Sequence, residues 1–246
     1  MNIDRGWCET DAAVGRRRLV RTGLSCVITL RTGLLGGCSA PPDTTVPART
    51  ARQLAPGSAW RELTAGNERW RTFHERHPDQ SRAVRRTLVR GQHPFAVVLG
   101  CVDSRVPPEL IFDQGLGDLL TVRSAGEVLD DAVLGSVSYG ALELGVPLIV
   151  VLGHQGCGAV AAAVHTDGKN TALPAPVRYL AERIRPAIDH RLIGEAQIDA
   201  AVTANVRHVR EQLTAQPDLA GRVKAGTLTI MGARYELTTQ RVHAVH

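Results

Sequence analysis

Four short runs of apolar, partly β-branched residues punctuate the chain, at Phe95–Leu99, Leu119–Val122, Pro147–Leu152 and Thr227–Met231. Runs this short and without polar alternation are typical of strands covered on both faces, as in a parallel sheet. Stretches with helical spacing follow at Asp131–Leu144, Ala159–His165, Pro176–Ile184 and Ala196–Leu213. Pro176 suits a first helical position, where its missing N–H is not needed. Strand alternating with helix dictates a sheet wrapped by helices. The reading is therefore an α/β fold: one domain, with a parallel-core β-sheet of four parallel strands plus an antiparallel edge strand, flanked by helices. Ahead of the sheet, Trp60, Leu63, Trp70 and Phe73 fall on one side of a helix over residues 58–73, which makes an N-terminal helical arm.

A length of 246 residues leaves room for one such domain and accessory segments. With 43% hydrophobic and 22% charged residues, disorder is excluded. The net charge of +5 does not indicate nucleic acid, because residues 1–50 hold seven Arg against four acids and only +2 is left for the rest, where Arg and acids interleave.

The first forty residues read as an export signal. Arg16-Arg17-Arg18-Leu19-Val20-Arg21 precedes a moderately apolar stretch to Gly37, and the paired arginines resemble a twin-arginine signal. Leu35-Gly36-Gly37-Cys38 resembles a lipoprotein processing box, with Cys38 as the lipidated residue. Arg31 interrupts the apolar stretch, which is too short for a transmembrane span. The expectation is an exported chain anchored through Cys38; the alternative is a cytoplasmic protein with a plain N-terminal extension. Residues 41–57, rich in Pro, Thr and Ala, read as a linker to a domain spanning 58–246.

Of the five cysteines, Cys8, Cys26 and Cys38 belong to the leader. Cys101 and Cys157 could be a disulfide, two buried thiols or metal ligands. Their neighbourhood favours a metal. In open parallel sheets ligands bind beyond the carboxyl ends of the strands. The first and third strands end at Cys101-Val102-Asp103 and at His154-Gln155-Gly156-Cys157. Thiolate, imidazole and carboxylate are the donors zinc prefers, and two neighbouring strand ends can converge on one ion. A helix starting at Cys157 would also stabilise its thiolate, while Gly156 and Gly158 let the backbone turn tightly.

Cys101-Val-Asp103-Ser-Arg105 followed by His154-Gln-Gly-Cys157 resembles the paired motifs of β-class carbonic anhydrases, and the similarity runs from about Leu63 to Tyr235. The resemblance implies reversible hydration of carbon dioxide to bicarbonate and a proton, by attack of a zinc-bound hydroxide. It makes Cys101, His154 and Cys157 permanent zinc ligands, with Asp103 either taking the fourth position or leaving it to water. Two thiolates cancel the charge of Zn²⁺, so a cation is needed to draw the carboxylate away; Arg105 can form that bidentate pair, making an Asp103–Arg105 catalytic dyad. Gln92, nine residues before Cys101, matches a glutamine that donates to substrate oxygen in the family. Leu120 and Tyr139 match positions lining the CO₂ pocket, and Gly158 a glycine beside the zinc thiolate.

Where many relatives read Arg-Asn-x-x-Asn, this chain has Arg123-Ser124-Ala-Gly126-Glu127, a departure that bears on rate, pH profile and substrate. Nothing ties His165, His190, His208 or His243 to the site as proton shuttles. Relatives form dimers with sites at the subunit interface and N-terminal helices embracing the partner, and the apolar face of Trp60 to Phe73 ahead of the sheet suggests the same embrace here, in a homodimer or a tetramer. Two rivals share the ligand set: a hydrolase of carbonyl sulfide or carbon disulfide, and a catalytically silent zinc module permanently closed by Asp103. Arg105 argues against the second.

Overall fold

A computed structural model of the chain describes residues 54–168 and 173–246. The expected export signal, Cys38 and the linker up to residue 53 lie outside the described residues. One five-stranded sheet forms, in the order β2-β1-β3-β4-β5. Strands β1 (Ala96–Gly100), β2 (Leu119–Arg123), β3 (Leu148–His154) and β4 (Thr229–Tyr235) pair in parallel. Strand β5 (Val242–Val245) closes one edge antiparallel to β4. The expected α/β sheet is thus observed, antiparallel edge strand included.

Every residue of β1 and β3 is buried, which accounts for the unbroken apolar runs. Alternate residues feed opposite faces, as strand geometry requires. Ala96, Val98, Leu148, Val150 and Leu152 join one core cluster, while Val97, Leu99, Ile149 and Val151 join the other. The helices are α1 (Pro56–Arg71), α2 (Arg82–Leu88), α3 (Pro108–Ile111), α4 (Asp131–Leu142), α5 (Gly158–Thr166), α6 (Ala175–Ile184), α7 (Gly194–Thr214) and α8 (Pro217–Lys224). Helix α4 starts where Asp130 accepts a hydrogen bond from Val133 N at 2.9 Å, and α6 starts with a proline in its first turn, as the sequence predicts. Helices α2, α3 and α8 escape periodicity because they have seven, four and eight residues, too few turns to show an apolar stripe.

The chain runs from β1 out to β2 at one edge, then crosses back over β1 to β3. The direction of winding therefore reverses between β1 and β3, and ligand sites form at such a switch.

Helix α1 does not hang free. Ala59, Leu63, Gly66 and Asn67 are buried against the chain's own core, and Trp70 Nε1 donates to the Tyr235 hydroxyl at 3.1 Å. Much of the apolar face that suggested an embrace of a partner is therefore covered within the chain; Phe73, 77% exposed, is not. The closest approach is at Gly66, where a Cβ would lie 1.7 Å from the Phe112 carbonyl oxygen.

Asn67 ties three segments together. Its Nδ2 donates to the Ile111 and Gln240 carbonyls, both at 3.0 Å, and its Oδ1 accepts from Val242 N at 2.8 Å. Asn67→Ala strands these buried groups, and the expected loss is about 2–3 kcal/mol. In a thermal melt followed by circular dichroism, the midpoint should fall by roughly 5–10 °C.

Candidate metal centre

Strand register brings the donors together. Gly100 pairs with Leu152, so Cys101, one residue past β1, is level with the last two residues of β3, Gly153 and His154. The chain then turns through Gly156, at φ 64° in the left-handed region, and enters α5 with Cys157 as its N-terminal flanking residue. Gly158 opens α5 with free space around its Cα, so the tight turn rests on Gly156 alone. The ligand atoms of Cys101, His154 and Cys157 all lie within 4.8 Å of one another, and all three residues are buried.

The imidazole is aimed. His154 Nδ1 lies 2.9 Å from the Gln155 carbonyl oxygen, which can only accept, so Nδ1 carries the proton. Nε2 then presents a lone pair, and among the described residues this buried atom has no hydrogen-bond partner. Gln155 is itself braced: its Oε1 accepts from Thr238 N at 3.1 Å and Thr238 Oγ1 at 3.2 Å.

The sulfurs are 3.9 Å apart. A hydrogen bond from Cys157 holds the Cys101 thiol down to about 4 against the opposing effect of burial, with further help from the Gly126 N–H. The Cys157 thiol, as donor, is pushed well up by that bond and by burial, and the carboxyl of Glu127 adds to the effect. One thiolate, one thiol and one bare imidazole lone pair in a buried cluster are matched to a divalent, nitrogen- and sulfur-seeking ion such as zinc.

Asp103 faces this cluster from the side. Its Oδ2 is 3.9 Å from His154 Nε2, yet it is engaged elsewhere: Arg105 Nη2 donates to Oδ2 at 2.7 Å, and Arg105 Nε and N both donate to Oδ1 at 2.9 Å. The guanidinium beside it holds the Asp103 carboxyl well below the usual carboxylate range. This is the bidentate pair the sequence predicts, with the carboxylate turned to the arginine. The loop beneath is held by Arg123, which the sequence marks only as the first residue of the altered motif. Arg123 Nε donates to the Cys101 carbonyl at 2.7 Å, and its Nη2 to the Asp103 carbonyl at 2.6 Å.

The other expected site residues are not gathered here. Leu120 and Tyr139 do share a groove of about 690 Å³ between β2 and α4, together with Arg123 and Asp131, but none of the three metal donors lines it. Gln92 is exposed and precedes the amino end of β1, whereas Cys101 follows its carboxyl end. A five-residue strand separates them by at least ~13 Å at about 3.3 Å per residue, so within one chain Gln92 does not meet the donors. Of the departures from the usual motif, Ser124 Oγ donates to the Val128 carbonyl at 2.8 Å. Glu127 is buried, burial pushes its carboxyl well up, and its Oε1 has no hydrogen-bond partner among the described residues.

Residues 96–242 match the family model described as carbonic anhydrase. The chain belongs to the β-class carbonic anhydrases. Among curated relatives, carbonic anhydrase 2 of Mycobacterium tuberculosis is 44% identical over 188 residues, covering 76% of this chain and 91% of the relative. The carbonic anhydrase of Mycolicibacterium smegmatis is 42% identical over 189 residues, covering 76% and 92%. The solved β-carbonic anhydrase CcaA superposes with a TM-score of 0.62 at 28% identity, covering 76% of this chain and 88% of that one. A structure described as a tetrameric β-carbonic anhydrase from Sordaria macrospora has the same TM-score of 0.62 at 19% identity, a likeness of fold, covering 76% and 97%. The protein is a carbonic anhydrase enzyme, and its substrate is a small molecule, carbon dioxide.

Two outcomes check the metal reading of this carbonic anhydrase. Metal analysis of His154→Ala or Cys157→Ala should find the bound ion lost while the far-ultraviolet circular dichroism persists. Because Cys157 keeps its proton in the metal-free chain and must release it on binding, affinity should rise about tenfold per pH unit near neutrality. Titration calorimetry in buffers of different ionisation enthalpy reads that released proton directly.

Proposed function

We propose that this carbonic anhydrase holds zinc through Cys101, His154 and Cys157 and works through the Asp103–Arg105 dyad. The observation that carries the reading is the orphaned, buried Nε2 of His154 beside two thiols. Zinc bound there would supply a Lewis acid that makes water acidic enough to lose a proton near neutral pH. The protein's own part is positioning. Two thiolates already neutralise a divalent cation, so a third anion is disfavoured unless a cation accompanies it, and Arg105 keeps the Asp103 carboxylate occupied. Held anionic, that carboxylate can accept a hydrogen bond from the attacking water and point a lone pair at the carbon of CO₂.

The pair has a pH signature. A carboxyl depressed in the folded state contributes stability that is present above its ordinary range and lost as pH falls through its own lower value. The dyad therefore stays charged throughout the neutral and mildly acidic range.

Assembly with a second copy completes the reading. Strand β2 is a sheet edge with unpaired backbone groups, and Tyr139 and Leu142 of the adjacent α4 are 48% and 41% exposed. Two copies meeting antiparallel at β2 would bring the amino end of one sheet to the carboxyl end of the other. In that arrangement Gln92 of a second copy serves this site, and the groove containing Leu120 and Tyr139 becomes enclosed. For residues 1–40 the proposal is export with lipid attachment at Cys38, which fractionation of the full chain beside Cys38→Ser would test.

Stopped-flow CO₂ hydration on the zinc-analysed full chain is the deciding experiment. Asp103→Asn should lower kcat/KM by about 100-fold with zinc content unchanged. Full zinc occupancy with no hydration even at alkaline pH would overturn the catalytic reading in favour of a silent module. Sedimentation should report a dimer or tetramer, and a monodisperse monomer would remove the shared-site arrangement.

A further inference from the structure

Helix α7 buries Ile198, Ala201, Val202, Val206, Val209 and Leu213 along one stripe, and Asn205 sits in the middle of it. Asn205 is 1% exposed, and burying an amide is costly unless it is hydrogen-bonded. Its Nδ2 donates to the Gly126 carbonyl at 2.7 Å. The following N–H, that of Glu127, donates to the Ser124 carbonyl at 3.1 Å, so the peptide unit between Gly126 and Glu127 is held at both ends. Ser124 N in turn donates to the Gly100 carbonyl at 3.1 Å, which fastens this turn to the end of β1.

Gly126 links the turn to the metal donors. It adopts φ 64°, and a Cβ there would lie 2.7 Å from Ile184 Cδ1, so both its conformation and its surroundings require glycine. Its own N–H donates to Cys101 Sγ at 3.4 Å. A hydrogen bond to a thiolate draws electron density from the sulfur and weakens its donation to a metal, and groups supporting ligands in this way tune affinity.

We propose that Asn205 is a positioning residue of the metal centre: by fixing the Gly126 carbonyl it aims the Gly126 N–H at Cys101 Sγ and so sets how strongly that thiolate donates. The inference rests on the zinc reading above. It also assigns a use to a polar group that packing alone would not choose, since a leucine of nearly the same size would fill the stripe.

Cobalt substitution tests it, because the thiolate-to-cobalt charge-transfer band reports sulfur donation independently of turnover. In Asn205→Leu the hydrogen bond to Cys101 Sγ should be lost and the band should move to lower energy, as expected for a more strongly donating thiolate. Val206→Ala is the control for plain packing. Val206, in the same helix as Asn205, lies against Gly153 of β3 and Gly232 of β4, so its truncation should lower the thermal midpoint and leave the band in place. Asn205→Ser, which keeps a donor and disturbs the stripe less, should give a smaller shift in the same direction and serves if Asn205→Leu does not fold. An unmoved band in a cobalt-loaded Asn205 variant overturns this inference and leaves the zinc reading standing. Failure of the unmutated protein to bind cobalt or zinc overturns the zinc reading itself.

Discussion

The metal centre depends on the pairing of β1 with β3. Had the register slipped by one residue, every side chain of one strand would turn to the opposite face, and Cys101 would no longer stand level with the end of β3. The pairing is over-determined, because both strands are wholly buried and each must feed two cores at once. It is also where the winding of the sheet reverses, which leaves a crevice for the two loops to fill. Inside it, a bare imidazole nitrogen and a shared thiol proton make a poor interior without a cation.

Around the donors lies a set of contacts that act on backbone more than on side chains. Arg123 grips the carbonyls of Cys101 and Asp103; Gln155 offers its carbonyl to His154; the Gly126 N–H approaches Cys101. Backbone groups cannot rotate away once their segments are packed, so the geometry is pre-set before any ion arrives. Asp103 is the exception, held by a side chain that is more than half exposed.

The four parallel strands were legible because double-sided burial forces unbroken apolar runs, and the donors were legible because soft ligand types stood at two strand ends. Helix α1 was legible as a helix, but its partner was not: an apolar face reads the same whether it covers its own sheet or a neighbour's. Gln92 was placed by motif spacing, which is blind to the fact that a strand separates it from Cys101. Asn205 left a faint signal, a single amide interrupting an apolar stripe, and its contact with the Gly126 carbonyl gives that interruption meaning. Glu127 was visible as a departure, whereas its unpartnered oxygen depends on packing no pattern encodes.

Gln155 is braced by Thr238, eighty-three positions downstream, and Gly126 by Asn205, seventy-nine downstream. During synthesis from the ribosome, the segment carrying Cys101 through Cys157 would emerge long before either brace exists. The imidazole and the first sulfur can be locked in place only after the segments carrying Asn205 and Thr238 have emerged as well. Until those segments arrive, the fragment that carries Cys101, His154 and Cys157 presents its donors without these two braces.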